Sequence, residues 1–192
     1  LSTSTICDEL KVATNGKAVV YSIAPFRDAA ILSAGHAADG AIWIDDNDGT
    51  WCSSTYYFDA PPSWLQAFNS LHSLPRTIDI SEWQPKNALS GNFSYFMTGG
   101  MQKPFKRKFT GARRFREYKT SGLVNESITD IAIQCINSNV MGSDAITDCI
   151  NITYYAGNFD HRPLAECQME LQDTYVRLDS EIGRLIDHVE KR

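Results

Sequence analysis

The sequence predicts an α/β fold: a partial layered sandwich of helices packed on a mainly parallel sheet, with a hairpin and a cap-like insertion. Continuous apolar runs such as 18–23 have the length of strands buried inside a sheet. Amphipathic runs with helical spacing alternate with them, which is typical of α/β layers. The dipeptide Asp48-Gly49 between two β-rich runs predicts the hairpin. The composition, 43% hydrophobic and 21% charged, is that of a globular protein.

The elements of the first half follow from apolar spacing and from breakers. Helical spacing of Ile6, Leu10 and Ala13 precedes Asn15-Gly16, a left-handed helix end. A short helix from Asp28 to Gly35 follows the first strand. The predicted elements are a helix at 6–14, strands at 18–23, 41–45 and 50–57, and a helix at 63–71.

Periodicity is lost between residues 73 and 121 and then returns. The predicted elements after it are a helix at 124–137, a strand at 148–154 and a long helix at 164–190. We therefore divide the chain into an α/β segment 1–72, an insertion or cap 73–121, and a second α/β segment 122–192. The chain lacks an initial Met and stops on a helix, so we expect it to be part of a larger fold.

The stretch 103–119 carries eight Lys or Arg against one Glu, a local charge of +7 that leaves −12 for the rest of a chain with net charge −5. Aromatic residues interleave with these cations. Such a stretch could bind single-stranded nucleic acid by stacking and phosphate neutralisation, or it could pack on the acidic remainder. We favour packing, against the body or as a cap, and expect no specific nucleic-acid binding.

Metal, redox and membrane signals are weak. No two of the four histidines lie within ten residues of each other, so no local metal motif forms. The five cysteines contain no C-x-x-C pair, which favours burial as small hydrophobes over a disulfide or metal role. No apolar run approaches the roughly 20 residues of a membrane span. Neither a P-loop nor a G-x-S-x-G elbow is present.

The run S-I-A-P-F-R-D-A-A-I-L-S-A-G-H-A-A-D-G-A-I-W-I-D-D (22–46), followed by T-W-C-S-S-T-Y-Y and P-S-W-L-Q-A-F-N, resembles a known family. That family is the type I phosphodiesterase/nucleotide pyrophosphatase branch of the alkaline phosphatase superfamily, in particular the bacterial phosphate-irrepressible alkaline phosphatases. The final helix, E-L-Q-D-T-Y-V-R-L-D-S-E-I, resembles the family's pattern E-x-x-D-T-Y-x-R-L-D-x-x-I/L. The resemblance covers 5–70 and 145–190. It implies an alkaline-phosphatase-like fold and a periplasmic or extracellular location.

The resemblance also implies where metal ligands should lie. Active members hold two zinc ions beside a Thr or Ser nucleophile, and two of the ligands are the Asp and His of S-T-D-Y-x-G-H. The matching residues here are I-T-Y-Y-A-G-N, with Tyr154 at the Asp position and Asn158 at the His position. A neutral phenol and an amide are poor zinc ligands. We therefore expect a dismantled metal site and no metal or other cofactor in this chain.

A second departure concerns the phosphoryl contacts. The family's monoesterases hold the phosphoryl group with a Lys and an Arg near S-L-K-D-R, and S-I-A-P-F-R-D keeps only Arg27. Arg27 could clamp an anion or form a surface pair with Asp28, and the sequence does not separate the two.

Three functional interpretations remain. The leading one is a segment of a phosphoester hydrolase-related protein that is catalytically incomplete or degenerate, a pseudoenzyme with no catalytic residues of its own. The second is a non-catalytic binding or scaffold protein on the same fold. The third is an active phosphate ester hydrolase whose site is completed by residues outside this chain. The expected partners are the remainder of its own full-length protein and a phosphate ester.

Overall fold

The computed structural model describes residues 3–86 and 105–191. Its first half contains α1 (Ile6–Ala13), β1 (Val20–Ile23), α2 (Arg27–Ala34), β2 (Gly40–Ile44), β3 (Trp51–Cys52), α3 (Ser63–Leu71), α4 (Leu74–Ile80) and β4 (Glu82–Trp83). Its second half contains β5 (Arg107–Lys108), α5 (Arg114–Lys119), α6 (Val124–Ser138), β6 (Cys149–Ile152), a 3-10 turn (Phe159–His161) and α7 (Leu164–Glu190).

Local signals explain where α1 begins and ends. Thr5 and Asp8 form a capping box, in which each side chain accepts a hydrogen bond from the other residue's backbone N–H, so two of the helix's unpaired donors are satisfied. Asn15 and Gly16 then take positive φ angles of 52° and 76°. This is the left-handed helix end that the sequence predicted.

Four strands form the main sheet, in the order β3-β2-β1-β6. β1 lies between β2 and β6 and is parallel to both, while β3 pairs antiparallel with β2. All residues of β1 and β2 are buried, which explains their continuous apolar sequences. Because β1, β2 and β6 are parallel, their carboxyl ends meet at one edge. The structure confirms the predicted α/β fold with a mainly parallel sheet.

The predicted boundaries hold better for helices than for strands. The long helix Leu164–Glu190 was predicted at 164–190. The strand predicted at 50–57 is wrong beyond Cys52, because the Ser54 carbonyl accepts hydrogen bonds from the backbone N–H groups of Tyr57 and Phe58 and closes a turn. β6 ends at Ile152 rather than 154. Sequence periodicity missed the short elements α4, β4, β5 and α5.

The described part of the basic stretch, 105–119, folds against the body, as predicted. Phe109, Phe115 and Tyr118 are buried in the core cluster that includes β1, β2 and α6. Its cations form ion pairs with acidic residues elsewhere: Lys106 and Lys108 with Glu82, Arg107 with Glu170, Arg113 with Asp160, Arg114 with Asp79, and Lys119 with Asp46. The boundaries 73–121 and the absence of nucleic-acid binding stay predictions, and Lys103 lies outside the described residues.

In the described ranges, no helix combines the length and the apolar character needed to span a membrane.

Candidate functional site

Three chain segments meet at the carboxyl edge of the parallel strands. Residues 24–27 follow β1, residues 45–48 follow β2, and residues 153–158 follow β6. The chain leaves β1 towards β2, while β6 lies on the other side of β1. In open α/β sheets, ligands bind outside the carboxyl ends of strands at such a change of direction. This edge is therefore the candidate site, and it contains Arg27, Tyr154 and Asn158.

The segment after β6 is anchored to α6 by one buried amide. Asn125 is fully buried; its Oδ1 accepts a hydrogen bond from the Tyr155 backbone N–H at 2.8 Å, and its Nδ2 donates to the Tyr155 carbonyl at 2.9 Å. The Asn125 side chain thus supplies the hydrogen bonds that a neighbouring strand would give the Tyr155 backbone if β6 continued. The backbone carrying the candidate residues is held in place by this clamp.

Tyr154 points its hydroxyl at α6, where it lies 2.9 Å from the Thr129 hydroxyl. Burial raises the pKa of the Tyr154 phenol above its ordinary value, and the hydrogen bond with Thr129 offsets only part of that rise. The phenol is therefore neutral at physiological pH. A neutral, hydrogen-bonded phenol brings no charge to a metal ion.

Asn158 has a different set of partners. Its Nδ2 donates to the Arg162 carbonyl at 3.1 Å, and its own backbone carbonyl accepts a hydrogen bond from the Tyr155 hydroxyl at 2.7 Å. Within the described chain, no hydrogen bond joins Asn158 to Tyr154. The structure thus places both residues beyond the end of β6, but it directs one side chain to α6 and the other to the turn before α7.

The residues present do not fit zinc. Tyr154 and Asn158 offer a neutral phenol and an amide, both engaged in protein hydrogen bonds. Across residues 3–86 and 105–191, no group of three or more His, Cys, Asp or Glu side chains is arranged to hold a metal ion.

The end of β2 is anchored by a buried charge that sequence reasoning missed. Lys119, at the end of α5, has a side chain only 2% exposed. Its Nζ donates to the Ile44 carbonyl at 2.9 Å and to Asp46 Oδ1 at 2.6 Å, and lies 4.8 Å from the centre of the Phe26 ring. In the sequence, Lys119 counted only as one cation of the basic stretch. Its helical spacing from Phe115 was the available signal, since residues four apart share a helix face.

Arg27 lies near Lys119 but is exposed. Its guanidinium Nε is 3.3 Å from Asp28 Oδ1, with the two side chains 68% and 82% exposed. Arg27, Lys119, Asp28, Asp45 and Asp46 line one groove of about 300 Å³. Neither Tyr154 nor Asn158 is among the residues that line it. The groove brings two cations and three carboxylates together.

The ionisation of these carboxylates matters for what the groove attracts. The backbone N–H of Asn47, with that of Asp48 and the charge of Lys119, holds the pKa of Asp45 below its usual range. Asp45 is therefore ionised at neutral pH. Because carboxylates outnumber cations among the lining groups, the groove gives an incoming phosphate little net attraction.

The Phe26 ring connects the two ends of this edge. It lies under Lys119 on one side, and its centre is 6.2 Å from that of the Tyr155 ring on the other. The ends of β2 and β6 are therefore parts of one packed surface.

No protein-family model matches the chain. Three curated relatives align with its whole length: alkaline phosphatase PhoV from Synechococcus elongatus (29% identical), alkaline phosphatase PafA from Elizabethkingia meningoseptica (28%) and a calcium-transporting ATPase from Myroides odoratus (26%). The chain spans 36%, 37% and 37% of their respective lengths.

Solved structures give the same result for the fold. The crystal structure of wild-type alkaline phosphatase PafA matches 98% of this chain with a TM-score of 0.75 and 27% identity, and the match covers 38% of that protein. A mutant of PafA matches equally well. The sequence relatives and the solved structures therefore agree with the resemblance described above. The chain is an alkaline phosphatase-like segment that matches a little over a third of its relatives' length.

Proposed function

We propose that this chain belongs to a phosphoester hydrolase-related protein of extracytoplasmic location, and that it supplies the frame of the site without its metal ligands. The observation that carries this proposal is the set of hydrogen bonds that Tyr154 and Asn158 make beyond the end of β6. Tyr154 binds Thr129 and Asn158 binds the Arg162 backbone, where an active relative is expected to present an Asp and a His to zinc.

Physical chemistry supports the degenerate interpretation over an active one. Zinc in proteins is bound by the thiolate of Cys, the neutral imidazole of His or the carboxylate of Asp and Glu. Deprotonating Tyr154 would create a half-buried anion, which burial disfavours more than the hydrogen bond with Thr129 favours it. The Asn158 amide oxygen is a weak donor that suits calcium better than zinc. This half of the site is therefore inert towards zinc.

The expected partners follow from the same proposal. The relatives extend well beyond the part that this chain matches, so the chain would work together with the remainder of a longer protein. Two of the three relatives are named as alkaline phosphatases and one as a calcium-transporting ATPase. A phosphate ester is thus the proposed ligand class of the whole protein, and Arg27 stays a predicted contact to it.

Titration calorimetry with zinc tests the proposal on the chain itself. We expect no stoichiometric zinc binding of sub-micromolar affinity to the unmodified protein, and the same for Tyr154→Phe and Asn158→Ala. Tight one-to-one binding that is lost in either variant would show a working site and overturn the degenerate interpretation.

Hydrolysis of an aryl phosphate monoester by the full-length protein, measured with zinc added, tests the interpretation that residues outside this chain complete an active site. We expect no turnover above that of the buffer. Turnover that disappears with a chelator would instead favour an active hydrolase assembled from other groups.

A further inference from the structure

We propose that Cys7 and Cys149 form a reversible disulfide that ties α1 to β6, with a low-molecular-weight disulfide such as oxidised glutathione as the oxidant. The two residues are 142 positions apart in sequence, yet their Sγ atoms lie 3.7 Å apart. Both are free thiols in the structure. Among the five cysteines, all within the described ranges, this is the one pair whose sulfurs are in contact.

The two sulfurs are already close to bonding distance. A disulfide bond is about 2.05 Å long, so the sulfurs must approach each other by about 1.7 Å. The pair packs with the small buried residues Ala18 and Val20 in one cluster.

The two thiols differ in access, which sets the order of steps. Cys7 is fully buried in the first turn of α1, whereas Cys149 is half-buried at the start of β6. The Cys149 thiolate attacks the small disulfide, forms a mixed disulfide and releases one thiol. The Cys7 thiolate then attacks Cys149 Sγ and releases the second thiol. The two protein thiols are oxidised, the small disulfide is reduced, and two protons pass to solvent or to the released thiolates.

The surroundings of Cys7 and Cys149 also predict how the reaction depends on pH. Burial, reinforced by the neighbouring Cys7, raises the pKa of the Cys149 thiol to about 11. Only the thiolate attacks a disulfide, so the first step is slow at neutral pH and accelerates as the pH rises. Asn151 Nδ2 donates to Cys7 Sγ at 3.0 Å, a contact that holds this sulfur against β6 for the second step.

The link would act on the candidate site through β6. This strand lies at the edge of the described sheet and pairs with β1 alone. It leads directly into residues 153–158. A bond from Cys149 to Cys7 would fasten this edge strand to α1 as well as to β1. It would also restrict the unfolded chain by closing a long loop. An oxidising compartment, where disulfides persist, would keep the link formed.

Counting thiols by mass tests the proposal. The reduced protein is incubated with oxidised glutathione at pH 8.5, then unfolded, alkylated and weighed intact. We expect the number of alkylated cysteines to fall from the five of the sequence to three, without bound glutathione, and a peptide joining Cys7 to Cys149 after digestion. Dithiothreitol should restore all five.

Matched variants decide the outcome. Cys135→Ser, at a buried cysteine outside the pair, should still lose two thiols, whereas Cys7→Ser should lose none to an internal bond and should accumulate glutathione on Cys149. Oxidation should raise the Tm of the unmodified protein by roughly 5–15 °C and should leave that of Cys7→Ser unchanged. Five alkylated cysteines in the oxidised protein, or a peptide joining any other pair, would overturn the proposal.

Discussion

The two ends of the carboxyl edge are anchored in the same way, one by a charged side chain and the other by a neutral one. At the end of β2, a buried ammonium donates to the Ile44 carbonyl from Lys119 on α5. At the end of β6, a buried neutral amide, Asn125 on α6, bonds both the N–H and the carbonyl of Tyr155. In each case a helix side chain satisfies the backbone where the strand ladder stops, as buried polar groups require.

The difference between these ends bears on function. The β2 end keeps charges, in Lys119 and in the carboxylates around it, although they largely neutralise one another. The β6 end, where the family resemblance expects metal ligands, offers Tyr154 and Asn158, both neutral and both hydrogen-bonded within the protein. The anchors of the two strand ends are Lys119 and Asn125, so the backbone there does not depend on the side chains that stand at the expected ligand positions.

Removing the neutral anchor should have the largest effect. Asn125→Leu keeps the approximate size of the side chain but leaves the N–H and carbonyl of Tyr155 without their partner. Each unsatisfied buried group costs about 1–3 kcal/mol, so we expect a loss of about 3 kcal/mol in the free energy of unfolding. For a chain of this size that corresponds to a fall in Tm of roughly 6–12 °C, measurable by calorimetry or circular dichroism.

Asn137→Leu is the matched control for this change, because Asn137 is exposed on the same helix and its side-chain hydrogen bond, to the His188 ring, is solvent-exposed. Its Tm should move by less than about 2 °C, as is usual for surface substitutions. Equal effects at the two positions would mean that the amide clamp contributes nothing specific to the end of β6.

The predictability of the two ends from sequence differs for a physical reason. The motif I-T-Y-Y-A-G-N predicts Tyr154 and Asn158 at ligand positions through its fixed spacing along the chain, and their role stays a prediction. Lys119 could not be found that way, since its partners Ile44 and Asp46 are more than 70 residues away. The apolar run 18–23, which contains β1, and the helical periodicity of 164–190 were both visible in the sequence. Two-residue strands such as β4 and β5 are too short to show any period.

Removing the charged anchor should have a smaller but clear effect. Lys119→Met keeps the apolar stem against the Phe26 ring and removes the donor to the Ile44 carbonyl. Asp46 is 70% exposed and can be solvated by water, so only one buried acceptor loses its partner. We expect the free energy of unfolding to fall by about 2 kcal/mol, measured by urea denaturation.

Arg116→Met, at an exposed position of the same short helix, supplies the comparison for Lys119. It removes the same charge from the protein without removing a buried donor, and its midpoint in urea should match that of the unmodified chain. Should both variants lose the same stability, net charge rather than the hydrogen bond of Lys119 would be the cause.

The smallest effect is expected at Arg27, beside the charged anchor. Its pair with Asp28 is exposed on both sides, and exposed ion pairs contribute little because water and salt screen them. Arg27→Ala should therefore shift the Tm by less than about 2 °C. Since Asp28, Asp45 and Asp46 line the same groove, this chain without the remainder of the protein should bind inorganic phosphate weakly, so we expect phosphate to raise the Tm of the unmodified chain and of Arg27→Ala equally little. Arg76→Ala, at another exposed arginine, serves as the control for loss of one positive charge. A phosphate-dependent rise in Tm that Arg27→Ala abolishes and Arg76→Ala keeps would show that Arg27 clamps an anion, and that the charged end of this edge binds a ligand by itself.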